Sequence, residues 1–213
     1  MADKYPSLSP YVYCADNPIK LVDPNGEFFD EPQRRAAIAK AREYEMKNRV
    51  DVSKPSGEGN SKNTYLNGAK GKPGQKVDCS GLTSACIIAG GEPNPVGKYT
   101  GGGVQQTVKG TERVEDYNNA VEGNLIVFSN ETHIGIITEV LYDSDNGNVI
   151  GFKMIHSSGD PERGYSGPNE STAMLDGSDY WGKRIDGVYK WDTRPDKVIQ
   201  LDEVIIKATI DEE

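Results

Sequence analysis

Around Asn124 the hydrophobic period of the chain changes, and the change divides it into a helical half and a stranded half. Ahead of that point the apolar residues come in helical blocks. Residues 30–47 start with Asp30 as a cap, Pro32 in the first turn and Gln33 placed to answer the cap. Ala36, Ala37, Ile38, Ala39 and Ala41 then supply strong helix propensity. A second helix is expected to begin at Asp78-Cys79 and run through Leu82, Ala85, Cys86, Ile87 and Ile88. Gly90, Gly91 and Pro93 end it. A short helix is expected over 104–108. Beyond Asn124 the pattern is that of strands. Leu125-Ile126-Val127-Phe128 is a short buried run, residues 134–142 are β-branched and apolar, and 143–148 form a turn cluster. Residues 149–155 return as the partner strand, and 187–191 close the set. Helices followed by an antiparallel meander indicate an α+β fold.

The remaining segments are irregular. Residues 1–26 are rich in Tyr, Pro and Asn and end in Asp23-Pro24-Asn25-Gly26, which is turn and extended chain. Residues 52–76 read as a long polar loop interrupted by Tyr65 and Leu66, and 96–119 and 163–179 as loops around the domain. The expected organisation is an end segment (1–26), a helical connector (27–50), the main domain (51–192) and an acidic tail (193–213).

Composition excludes several functions. A net charge of −9 provides no basic stripe to neutralise phosphates, which argues against nucleic acid as a partner. No apolar run approaches the roughly 18 residues of a membrane span. The opening residues lack a basic-then-apolar signal pattern, so export is expected by another route. The 3 cysteines (Cys14, Cys79 and Cys86) cannot complete a disulfide framework, and no Cys-x-x-Cys pair offers a zinc site. Asp143-Ser144-Asp145-Asn146-Gly147 lacks the calcium loop's Glu, Met154 standing in its place, and reads as a hairpin turn. Neither metal nor cofactor is expected.

With 2 histidines in the chain, the candidate chemistry can be narrowed pair by pair. Asp78-Cys79-Ser80-Gly81 places a thiol on the first turn of a helix, where unpaired N–H groups favour a thiolate. Ser80 and Gly81 are small enough to admit a substrate backbone, and N–H groups at the helix start suit an oxyanion. Cys86, two turns further on, reads as a buried small hydrophobe, and Cys79 read alone fits that description too. His133 opens one strand and His156 ends the next, so a hairpin over 143–148 brings both to one end of the sheet. There His133 is positioned to take the thiol proton and His156 to orient it. Taken singly, both histidines also suit surface strand ends. The convergence of three polar groups favours the catalytic reading.

Several motifs, in order, resemble the NlpC-type cell-wall cysteine peptidases, a papain-like family. They are Tyr65-Leu66-Asn67-Gly68, Val77-Asp78-Cys79-Ser80-Gly81-Leu82, Gly123-Asn124-Leu125-Ile126-Val127-Phe128, Thr132-His133-Ile134-Gly135-Ile136, Met154-Ile155-His156-Ser157-Ser158 and Tyr180-Trp181-Gly182-Lys183-Arg184-Ile185. The likeness covers about residues 65–191. The family usually has Asp where Asn124 stands, and its hairpin between the histidines is usually shorter. The resemblance implies a papain-like fold with Cys79 as nucleophile, His133 as base and His156 as third member. It also implies that Tyr65 lines the site, with Asp78, Ser80 and Gly81 beside the substrate. The implied reaction is hydrolysis of peptidoglycan stem-peptide amides, between D-Glu and the diamino acid.

Lys4-Tyr5-Pro6-Ser7-Leu8-Ser9-Pro10-Tyr11, Asn17-Pro18 and Asp23-Pro24-Asn25-Gly26 resemble the end of the Rhs repeat core of bacterial polymorphic toxins. In that family the segment after the core is the toxin. The expectation is a delivered antibacterial effector acting in the periplasm or cell wall of a target bacterium. Its implied partners are an Rhs carrier chain and an immunity protein over the cleft. The alternatives are the same thiol chemistry aimed at a protein or lipid outside the cell wall, and a non-enzymatic binding module on the same scaffold.

Overall fold

The computed structural model describes residues 31–57, 59–97, 101–160 and 165–191. The expectations for Asp30, for 1–26 and for 193–213 lie outside the described residues. Three helices come first: α1 (Glu31–Asn48), α2 (Cys79–Ala89) and α3 (Gly103–Val108). Six strands follow: β1 (Glu112–Arg113), β2 (Leu125–Phe128), β3 (His133–Tyr142), β4 (Val149–Asp160), β5 (Tyr165–Met174) and β6 (Ile185–Lys190). They form one antiparallel sheet in the order β1-β6-β2-β3-β4-β5. The molecule is therefore α+β. Among the described residues no helix is long and apolar enough to cross a membrane.

The sheet is covered on both faces. On one side, Ala37, Ala41 and Tyr44 of α1 and Leu82 and Cys86 of α2 pack against Leu125, Val127, Ile134, Ile136 and Ile155. On the other, Ile126, Phe128, Met154, Phe152 and Val188 meet Trp181. All four residues of β2 are buried, which is why it reads as an unbroken apolar run rather than an alternation. The segment expected to be a connector (27–50) thus contributes α1 to the domain core.

Two differences from the sequence reading matter for the site. β4 does not stop at residue 155 but continues to Asp160, so His156 lies inside a strand, opposite Gly135 on β3 and Asn169 on β5. And much of the 163–179 stretch read as a loop is β5, paired with β4 from Gly151↔Met174 to Asp160↔Tyr165. Its sequence, with Gly167, Pro168, Asn169 and Ser171, has little intrinsic strand preference. As an edge strand it tolerates Pro168, whose missing N–H costs no ladder bond on the outer side.

Candidate active site

The first turn of α2 carries the thiol. Asp78 is its N-cap and accepts the Gly81 N–H at 2.6 Å and the Ser80 hydroxyl at 3.0 Å on one carboxylate oxygen. The other oxygen accepts the Gly68 N–H at 2.7 Å. The Asp78 N–H in turn donates to the Ala69 carbonyl at 3.0 Å. One buried side chain therefore both caps the helix, worth about 1 kcal/mol, and fastens the 66–69 turn to it. Asp78, Ser80 and Gly81 are all buried and bonded to one another. Their contacts hold the turn that carries Cys79. Gly103, at the start of α3, packs so close to Ser80 that any Cβ would collide with it, and this is the position that the glycine run 101–103 serves.

Cys79 is 7% exposed. The backbone N–H groups of Ile134, the residue after His133, of Ser80 and of Cys79 itself favour the charged form of its sulfur. Burial pushes the thiol up to about 11, the Asp78 carboxylate adds to this, and the three N–H groups pull the other way without prevailing. The helix start was expected to yield a thiolate. The result is a neutral thiol, because the site is nearly dry and, second to that, the cap that completes the helix sets a negative charge near the sulfur.

His133 is the first residue of β3, opposite Phe128. It is delivered by a left-handed turn of three non-glycine residues: Ser129, Asn130 and Glu131 have φ of 56°, 56° and 58°. Each such residue costs on the order of 1 kcal/mol or more. The turn is held by the Ser129 N–H on the Arg184 carbonyl at 2.9 Å and by the Glu131 N–H on the Asp186 carboxylate at 3.0 Å. His133 Nε2 lies 2.8 Å from His156 Nδ1. Trp181 covers the pair, stacked on His133 at 4.8 Å and 21° and edge-on to His156 at 4.6 Å and 71°. Under this lid, burial drives His133 down to about 4. At neutral pH both the thiol and this imidazole are uncharged.

The thiol belongs to the helix-covered side of the sheet, and the histidines share the face that Trp181 covers. They approach at the start of β3, where the Ile134 N–H acts on the sulfur. Among the described residues no hydrogen bond joins Cys79 Sγ to the His133 ring. With Nε2 taken by His156, Nδ1 is the ring nitrogen that remains for the sulfur.

Two further contacts close the site. Tyr65 bridges in parallel to Val77, and its ring lies where a Cβ on Gly159 would sit. Its hydroxyl is raised by burial first and then by the charges of Cys79 and Asp78. The Ser157 hydroxyl donates to the Val77 carbonyl at 2.8 Å, tying the strand of His156 to the lead-in of α2. Trp181 stands in the turn before a 3-10 helix (Gly182–Arg184), over the imidazole pair. The Tyr180-Trp181 doublet just ahead of the last strand was the available signal. Comparison with models of known protein families gives no match, and comparison with curated proteins gives none either.

Proposed function

We propose that the protein is a papain-like cysteine peptidase in which Cys79 attacks an amide carbonyl and His133 serves as base and then as acid. The observation that carries this reading is the 2.8 Å bond from His133 Nε2 to His156 Nδ1, together with a helix that starts at Cys79 and is capped by Asp78. An imidazole pair with one ring fully buried and the other half-buried has no packing purpose that an apolar pair would not serve at lower desolvation cost.

The steps follow from the neutral resting pair. As Cys79 Sγ bonds to the carbonyl carbon, its proton passes to His133 Nδ1. The imidazolium so formed is stabilised by His156 Nδ1, which accepts its Nε2–H. The backbone N–H of Cys79 holds the oxyanion, while those of Gly81 and Leu82 are engaged by Asp78. His133 then returns the proton to the leaving nitrogen, the C–N bond breaks, and a thioester remains. Water, deprotonated by His133, releases the acid and restores the thiol. The sulfur and imidazole need not be hydrogen-bonded at rest, since such bonds commonly tighten only around substrate.

On the resemblance of residues 65–191, the substrate is a peptidoglycan stem peptide, cut between D-Glu and the diamino acid. On that of residues 1–26, the enzyme is an Rhs-associated antibacterial effector, restrained in its producer by an immunity protein. The test is digestion of purified peptidoglycan, with mass analysis of the released fragments. The wild type releases free stem-peptide ends and Cys79→Ala does not; equal release by both would overturn the assignment.

A further inference from the structure

The hydrogen bonds do not end at His156. Its Nε2 lies 2.9 Å from the Ser171 hydroxyl, and the Ser171 hydroxyl donates to Asn169 Oδ1 at 3.0 Å. Asn169 Nδ2 donates in turn to the Gly167 carbonyl at 3.0 Å. Asn169 and His156 are both fully buried and face each other across the β4–β5 ladder.

This chain has a direction, and the direction can be read from its far end. A carbonyl only accepts, so the group that Asn169 turns to Gly167 must be its NH₂, and its oxygen must face Ser171. The Ser171 proton is then spent on Asn169, which leaves that hydroxyl only lone pairs to offer His156. His156 Nε2 must therefore carry a proton, and in the neutral ring Nδ1 is left as an acceptor. The 2.8 Å contact then requires His133 to donate from Nε2. A neutral His133 with its proton on Nε2 has its lone pair on Nδ1, the atom a general base needs.

We infer that Asn169 and Ser171 are positioning residues that set the tautomers of both histidines, so that His133 presents an unprotonated Nδ1 to Cys79. The inference rests on the reading of His133 as base. The far end of the chain is fixed by the N-terminal helix, outside the stretch that carries the family likeness. Asn48 of α1 donates to the Pro168 carbonyl at 2.8 Å, and Arg42 of α1 pairs with Glu170 at 2.6 Å. These two contacts bracket Asn169, so α1 holds the edge strand that orients the catalytic rings.

The test is nitrogen NMR of the histidine rings in the intact, untagged chain at neutral pH, where the 2 histidines give only two imidazoles to read. The wild type should show both rings as single tautomers with the proton on Nε2. Ser171→Ala should convert both to tautomer mixtures and lower kcat about tenfold, part of the roughly 10²–10⁴ that a general base supplies, with KM within about twofold. Ser171→Thr, which keeps the hydroxyl, should restore both readouts. A wild-type His133 protonated on Nδ1 overturns the inference, and so does a Ser171→Ala spectrum identical to wild type. Should Ser171→Ala fail to fold, the wild-type spectrum still decides the direction of the chain. The spectra need no substrate, so an inactive protein with the expected tautomers would sink the peptidase reading and leave the relay. An active one with unchanged tautomers in Ser171→Ala would do the reverse.

Discussion

Cys79 and Cys86 lie on one face of one helix, yet the two ends of α2 treat the same side chain differently. At the middle of the helix Cys86 is fully enclosed by the apolar core, and burial alone pushes its thiol far up, with Lys40 pulling back a little. At the start, Cys79 is nearly as buried, and its thiol is also raised, to about 11. What separates them is company. Cys79 opens the helix behind the Asp78 cap, and backbone N–H groups of Ile134 and Ser80 favour its charged form, whereas nothing comparable acts on Cys86. A helix N-terminus therefore does not by itself make a nucleophile. In the proposed reaction the thiol, held up by burial and by the capping carboxylate, relies on a base at the moment of attack.

The sharpest way to break this comparison is to truncate each cysteine. Cys79→Ala should cost hydrolysis roughly 10³-fold or more, while Cys86→Ala should keep kcat within about twofold and lose about 1–2 kcal/mol in urea unfolding. Equal losses of activity would mean that both act through packing. Next in size, His156→Ala should lower kcat about 10²-fold, and His156→Asn, which keeps an acceptor for His133, should retain more of it. The reverse order would remove His156 from the orienting role.

A pH experiment sharpens the electrostatic side. His133 titrates near 6.5 when unfolded and at about 4 in the fold, so between those values the unfolded chain holds the extra proton. Its contribution to stability is complete above about pH 6.5 and drains away as the pH falls towards 4, by at most roughly 3 kcal/mol. His133→Gln should flatten that slope in chemical denaturation, and an unchanged slope would show that the ring is not held neutral. The smallest effect expected is at the cap. Asp78→Asn keeps a good N-cap residue but removes the charge beside the sulfur. Alkylation of Cys79 by iodoacetamide at fixed pH should then speed up severalfold, with Cys86 unreactive in both proteins until unfolding. A slower Cys79 would show that the carboxylate does not hold the thiol up.

Much of the scaffold was legible because its signals are local. α1 covers Glu31–Asn48 where the alanine run indicated a helix, α2 starts at Cys79 behind Asp78, and β2 spans Leu125–Phe128 as the apolar run indicated. The approach of His133 and His156 was also foreseeable, since a turn over 143–148 brings their strands together, although the strand runs on past His156. β5 was not legible. Its residues have little strand preference, and among its described side chains only Ala173 joins the sheet core. Pairing with β4 and the ties from Asn48 and Arg42 make it a strand. Ser171 and Asn169 could not be singled out for the same reason, nor could Trp181 as the lid of the imidazole pair.

By itself the sequence determined the α+β order, the capped helix that bears Cys79, and the pair of strands that bear the histidines. Periodicity, capping chemistry and turn residues act over a few positions and can be read there. The tertiary structure alone decided the protonation of the site. Burial beneath Trp181 neutralises His133, and burial with the Asp78 charge neutralises Cys79. Charge states depend on what distant segments exclude from water, and no local pattern records that.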